Sequence, residues 1–274
     1  MALLRSEVVR PPAVAGSFYP AEPIELRRDV EAHIERAPAV EVPKLRALIC
    51  PHAGFIYSGP VAGHAYRVLR EAKNNGRDFR RVVVLAPAHR VAFRGIAIPE
   101  CDAFATPLGE VPLWSGCREL AKTAPYFLDS RPHAEEHAIE VQLPFLQSVL
   151  GEFELVPLLF GAVISEDPMP VLERLLDEST LIIVSTDLSH YLRYEEARRI
   201  DERTIGHFLS LDATKVAGSE ACGRSPAATM LTLAKRANLQ ILLLDYRNSG
   251  DTAGDKRKVV GYASMALATA SLSL

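Results

Sequence analysis

Leu45-Arg-Ala-Leu-Ile-Cys-Pro-His-Ala-Gly54 and Arg81-Val-Val-Val-Leu-Ala-Pro-Ala-His89 repeat one plan: a short, mostly apolar run, a proline near its end, and a histidine one or two residues after the proline. Runs of this length without a polar face read as strands buried on both sides, in a sheet covered by helices. Each proline stiffens the strand exit, and Gly54 permits a tight turn, so each histidine projects from a rigid corner. In covered α/β sheets, ligands bind in the crevice beyond the carboxyl ends of the strands. Position alone therefore nominates His52 and His89. A single strand-end histidine serves a structural hydrogen bond as readily as catalysis. Two in neighbouring strands could hold imidazoles at a fixed separation, as a metal or proton-transfer site requires.

Further apolar runs at 155–160, 181–185, 239–245 and 259–267 bring the principal strands to six. Stretches at 61–72, 134–150, 169–177, 194–209 and 226–237 carry apolar residues at three- and four-residue spacing and read as helices. The runs 95–99 and 109–113 are expected to add an antiparallel pair, which makes the sheet mixed. The expected architecture is a single α/β domain over 1–274, with a central mixed sheet flanked by helices on both faces. No repeat or Gly/Ser-rich linker marks an internal boundary. The Gly-, Asp- and Lys-rich stretch 248–258 follows a strand and reads as a wall or lid.

Of the 274 residues, 48% are apolar and 24% charged, the balance of a chain with a sizeable core. The formal net charge is −3 and no Lys/Arg block stands out, so a nucleic-acid partner is not expected. Apolar runs such as 181–184 and 241–244 are far below the roughly 20 residues that span a bilayer. Arg5, Glu7 and Arg10 break up the N-terminus, which lacks the apolar core of a secretory signal. The expectation is a cytoplasmic protein, away from membranes, whose partner is a small-molecule substrate or a peptide. Cys50, Cys101, Cys117 and Cys222 form no Cys-x-x-Cys pair and read as free thiols. In Cys222-Gly-Arg-Ser-Pro226 no histidine neighbours the thiol, and Ser225 reads as the N-cap of a helix with Pro226 in its first turn.

Ser185-Thr-Asp-Leu-Ser-His190 follows a third strand and offers a carboxylate and an imidazole three residues apart. His190 is a candidate for moving protons, whereas Asp187 reads equally as a turn cap. His133-Ala-Glu-Glu-His137, with Glu140 beyond it, would place His133, His137 and Glu140 along one face of a helix. The spelling fits the H-x-x-E-H pattern of inverted zinc peptidases, but no third metal ligand is identifiable and Pro144 interrupts the helix. His33 and His207 read as solvated, and His64 as packed or capping within its helix.

Taken in order, Ala15-Gly-Ser-Phe-Tyr19, Pro51-His-Ala-Gly54, Pro87-Ala-His89, Glu136-His137 with Glu140 and Leu143-Pro144, Ser185-Thr-Asp187 with His190, and Cys222-Gly-Arg224 resemble the Memo family. The likeness runs over about 13–267; bacterial and archaeal members are often labelled AmmeMemoRadiSam system protein B. The resemblance implies a fold similar to class III extradiol dioxygenases, which open catechol rings with non-haem Fe(II) held by two histidines and a carboxylate. By it, His52 and His89 would be metal ligands and His190 the acid/base histidine, with His137 and Asp187 beside it as catalytic residues. Animal Memo proteins carry a cysteine in the loop after the penultimate strand, where this sequence has Thr252 with Asp251 beside it. Either Asp251 supplies the third ligand after a one-residue shift, or the metal is weakly held, or this branch does not depend on metal; Thr252 and Glu140 are expected to bind substrate. The implied cofactor is Fe(II), with another divalent transition metal or copper as alternatives. Two functions follow from the likeness. One is a metal-dependent oxidoreductase acting on a small aromatic or enolisable substrate. The other is an adaptor that holds a peptide or metabolite in the same cleft, since animal relatives are linked to signalling through phosphotyrosine-bearing partners.

Overall fold

The computed structural model describes residues 7–162 and 167–269; the first six residues of the N-terminal segment considered above lie outside them. In chain order, β1 (Val9–Arg10) and α1 (Pro23–Arg36) lead to β2 (Leu45–Cys50), α2 (Phe55–Asn74) and β3 (Arg81–Pro87). Short strands β4 (Ile96–Ile98), β5 (Ala103–Thr106) and β6 (Gly109–Pro112) precede α3 (Cys117–Leu120), β7 (Tyr126–Leu128) and α4 (Leu143–Leu150). Next come β8 (Glu154–Phe160), α5 (Met169–Leu175), β9 (Thr180–Ser185), β10 (His190–Leu192) and α6 (Tyr194–Leu209). Helices α7 (Ala213–Ala217) and α8 (Arg224–Arg236), strand β11 (Leu239–Asn248), helix α9 (Ser249–Thr252) and strand β12 (Val259–Thr269) follow.

Strands β2, β9, β3 and β8 lie side by side in that order, all parallel, as their two-sided apolar character requires. Beyond β2, β12 runs antiparallel and carries β10 and β11; beyond β8, β4 runs antiparallel and carries β7. Successive side chains enter opposite layers, because strand residues alternate in direction. Leu48, Val82 and Val84 pack with Leu26 and Ile34 of α1, Tyr66 of α2 and Phe145 of α4. Ile49, Val83 and Leu85 pack with Leu172 of α5, Phe208 of α6 and Met230 of α8. The molecule is thus the mixed-sheet α/β fold expected, with helices on both faces. No helix among the described residues is long and apolar enough to cross a membrane.

Two expected elements form differently. The run around Gly109 does not pair with the run around Ile96. It closes a hairpin on β5 through the two-residue turn Pro107-Leu108, and β1 adds a third strand to that small sheet. A two-residue closure has the lower entropic cost, and the wholly buried β4 is left to extend the main sheet. The helix expected over 134–150 is regular only from Leu143; before it stand single 3-10 turns at Arg131–His133 and Glu140–Gln142. Glu136 is the reason. Its carboxylate accepts the backbone N–H groups of His89, His137 and Ala138, giving them a side-chain partner where a helix would supply a carbonyl. Pro144 then falls in the first turn of α4, where its missing N–H is no loss, and starts the helix rather than interrupting it.

Candidate metal centre

The carboxyl ends of the parallel strands open onto a cleft of about 630 Å3 whose lining includes His52, His89, His137, Asp187 and His190. The two strand-end histidines expected to face one another do so: the His52 and His89 rings lie 5.1 Å apart at 80°. His137 joins them, stacked on His89 at 4.8 Å and at right angles to His52 at 5.4 Å. One ring nitrogen from each of the three lies within 4.8 Å of the others, the only such cluster of metal-ligating side chains among the described residues.

Hydrogen bonding behind His52 fixes its tautomer. Gln142 Nε2 donates to Pro51 O at 3.0 Å and to Ser185 Oγ at 2.8 Å, while Gln142 Oε1 accepts from the Tyr66 hydroxyl at 2.6 Å. Ser185 uses its single hydrogen on Ala138 O at 2.6 Å. It can therefore meet His52 Nδ1, 3.0 Å away, only as an acceptor. The proton sits on Nδ1, and Nε2 keeps its lone pair. Burial, together with the nearby His89, pushes the pKa of His52 down to about 3, so the ring is neutral near pH 7.

His89 is held by Glu136, which accepts from its Nδ1 at 2.9 Å and from its backbone N–H at 2.6 Å. Burial alone would raise the Glu136 carboxyl, but the hydrogen bonds and charge of His89 outweigh it and hold the group at about 2. A carboxylate behind an imidazole fixes the ring's orientation and makes its free nitrogen a better ligand. His137 is also neutral, pushed down to about 3 by burial and by His52. Its Nδ1 is buried and makes no hydrogen bond, with Glu136 Oε1 3.3 Å away, and Phe18 packs against the ring at 4.9 Å. Three imidazoles facing one another, those of His52 and His137 neutral, fit a transition-metal ion better than they fit one another.

Asp187 lies behind His52, accepting its backbone N–H at 2.8 Å; burial pushes its carboxyl up to about 6. Half-buried His190, at the start of β10, completes the wall on that side. Segment 248–258 supplies wall as expected, through Ser249, Ala253, Asp255 and Lys258.

Three expected site residues stand elsewhere. Asp251 is not among the clustered ligands: its carboxylate accepts the Asn248 N–H at 3.0 Å and the Tyr194 hydroxyl at 2.6 Å, closing the cap of α9. Thr252, half-buried in α9, does not line the cleft. Glu140 does not reach it either. Wholly buried, it pairs with Arg10 and accepts from Ala13 N, Val14 N and the Tyr19 hydroxyl. Arg10 also donates to His133 O and Glu136 O, so this ion pair pins the loop that carries Glu136 and His137.

The H-x-x-E-H reading fails for the same structural reason as the long helix. His133 faces away from His137, bonded to Ala97 O at 3.1 Å, and Glu136 serves His89. His33 is buried against Phe55 and Phe145 rather than solvated. Gly223, not Ser225, takes the N-cap position of α8. The thiol of Cys222 does have a histidine neighbour, His52 Nε2 at 3.2 Å. Burial pushes that thiol up to about 12, so it stays protonated and donates to the bare nitrogen; Asp187 O, 3.7 Å away, offers it another acceptor. Ser185, Gln142, Glu136 and Cys222 are all absent from the sequence-based ligand set. Glu136, Ser185 and Cys222 carried a signal in the family-like motifs quoted above, whereas Gln142 carried none.

The model of the family described as Memo-like protein matches residues 10–266. A MEMO1 family protein of Methanopyrus kandleri is 36% identical over 93% of this chain and 98% of its own. One from Aquifex aeolicus is 36% identical over 94% and 98%, and one from Sulfolobus acidocaldarius 34% identical over 94% and 99%.

Proposed function

This chain belongs to the Memo family, and from that premise we propose that it is a metal-dependent oxidoreductase whose ion is held by His52, His89 and His137. The observation that carries the reading is the cluster itself: three imidazoles facing one another at the head of a parallel sheet, two of them oriented by hydrogen bonds to Ser185 and Glu136. Imidazole donors suit iron, zinc, copper and nickel, and the likeness to extradiol dioxygenases favours Fe(II). Bound there, such an ion would supply Lewis acidity and one-electron redox chemistry.

The chain's own residues set the rest. Ser185 and Glu136 orient two of the ligand rings. His190 stands on the wall beside Asp187, placed to take a proton from a substrate hydroxyl at its ring nitrogen. Tyr57, Tyr191 and Ile56 line the same cleft while largely exposed, a rim suited to the apolar body of a small aromatic or enolisable substrate. That same rim also favours the second reading, in which the cleft holds an apolar peptide side chain without turnover.

Protein purified without oxygen and loaded with Fe(II) tests the proposal. It should retain about one equivalent of iron, lose it in the His52→Ala/His89→Ala double variant, and consume oxygen with some member of a catechol panel. Folded wild-type protein that retains no transition metal under those conditions would overturn the metal reading. Stoichiometric metal without turnover, together with partner binding that survives the double variant, would favour the adaptor.

A further inference from the structure

His89 has a second side. Besides facing the imidazole cleft, it lines a separate cavity of about 430 Å3 together with Arg90, Cys222, Arg224 and Ser225. Among the described residues no aspartate or glutamate lines this cavity. Among the described residues neither guanidinium has a carboxylate within 4 Å: Arg224 donates only to Ser219 O, at 3.4 Å, and Arg90 has no acceptor. Several arginines elsewhere are matched, as Arg67 and Arg70 are to Glu35 and Arg46 and Arg77 are to Glu178. A lone exposed arginine is ordinarily just solvated. Two unmatched ones converging on one concavity, in a chain of net charge −3, are not accounted for in that way.

We propose that this cavity is an oxyanion subsite, taking the carboxylate or phosphate of a small ligand whose remainder reaches past His89 toward the imidazole cleft. The planar fork of arginine matches either group through two parallel hydrogen bonds. Val91, Phe160 and Pro226 give the cavity apolar walls that lower the local dielectric and strengthen that attraction. Arg90 directly follows His89 and lines the same cavity, so an anion seated on it would lie within electrostatic reach of the cluster. The subsite narrows the substrate of the proposed reaction to an organic anion. In that respect it rests on the metal reading, whereas oxyanion binding itself does not.

The test uses metal-free full-length protein at constant ionic strength, with backbone amide shifts followed during separate titrations with inorganic phosphate and with benzoate. Saturable shifts are expected at His89, Arg90 and Ser225. The Arg90→Ala/Arg224→Ala variant should raise the dissociation constant at least tenfold, and Arg90→Lys/Arg224→Lys should fall between. Saturation by phosphate alone assigns a phosphate group, and by benzoate alone a carboxylate; saturation by both leaves the shared oxyanion chemistry as stated. If the alanine pair does not fold, Arg224→Gln replaces it, with at least a threefold weakening expected. Failure of both probes to saturate, or unchanged affinity in a folded arginine variant, overturns the subsite. Wild-type protein that binds the anion but no metal would sink the metal reading and leave this one standing.

Discussion

Replacing Ser185 with alanine tests the reasoning about His52 most directly. The hydroxyl removed accepts from His52 Nδ1 and from Gln142 Nε2, and donates to Ala138 O, in a site where all three residues but the ring edge are closed to water. Alanine leaves two N–H donors and one carbonyl without their partner, and each buried orphan costs about 1–3 kcal/mol. His52 can relieve its share by moving the proton to Nε2, toward the sulfur of Cys222 at 3.2 Å. That relief places a hydrogen on the nitrogen a metal ion needs. Loss of such an orienting partner behind a ligand typically costs 10–100-fold in metal affinity, about 1.4–2.7 kcal/mol. Competition against a chelator of known affinity measures that loss, and nitrogen chemical shifts of His52 report which nitrogen is protonated. Stability should fall by about 2–6 kcal/mol in urea, from the two remaining orphans. Metal affinity within twofold of wild type, or a His52 ring still protonated at Nδ1, would refute the relay from Tyr66 through Gln142 and Ser185.

Asp251→Ala should leave metal affinity within twofold, because its carboxylate caps α9 rather than facing the cluster; melting should show a loss of about 1 kcal/mol. Gly63→Ala places a methyl group 2.3 Å from the backbone oxygen of His33, where α1 and α2 touch, and should cost about 1–3 kcal/mol or more. Gly206→Ala in α6 meets nothing within 4 Å and should stabilise by up to about 1 kcal/mol; urea midpoints of the two variants should move in opposite directions. His133 has its pKa pushed down to about 4, chiefly by burial, from an unfolded value near 6.5. Its contribution is therefore present above pH 6.5 and is lost as pH falls toward 4, at up to about 1.4 kcal/mol per pH unit. His133→Gln keeps a donor toward Ala97 O but cannot titrate, so its stability curve over pH 4–6.5 should be flatter than that of wild type.

The sheet was legible because β3, β8 and β9 are apolar on both faces, so burial and sequence pattern coincide. His52 and His89 were legible for the same reason: a strand that must be buried can release a polar side chain only at its end. The third ligand position was not. Periodicity assigned residues 134–150 to one helix, whereas the Glu136 carboxylate takes over backbone donors that the helix would need, and turns His137 into the cleft. No pattern of spacing reports which carboxylate will do this. Cys222 and His52 are 170 residues apart, a contact made by the fold and not by local sequence. Asp251 was misplaced because alignment on a family position counts residues but not caps, and a one-turn helix capped by Asn248 fixes where its carboxylate points.

The strand order explains why the cluster forms where it does. Neighbouring strands are about 4.8 Å apart, so β2 and β3, with β9 between them, stand about 10 Å apart. Side chains leaning in from the two ends can close that gap only if the middle strand leaves room for them. Strand β9 ends in Ser185, paired in register with Cys50, and the chain then bonds Thr186 N–H to Cys50 O before turning at Asp187. A small hydroxyl at the middle position leaves space above it and offers the acceptor that His52 requires. A leucine or phenylalanine there would fill the gap and leave Gln142 and Ala138 unpaired. The histidines on the outer strands and the serine on the inner one are therefore one arrangement: enlarging residue 185 should abolish metal binding even with all three imidazoles intact. Ser185→Leu protein that folds and still binds one metal ion at wild-type affinity would show that the ligands are placed by something other than the sheet.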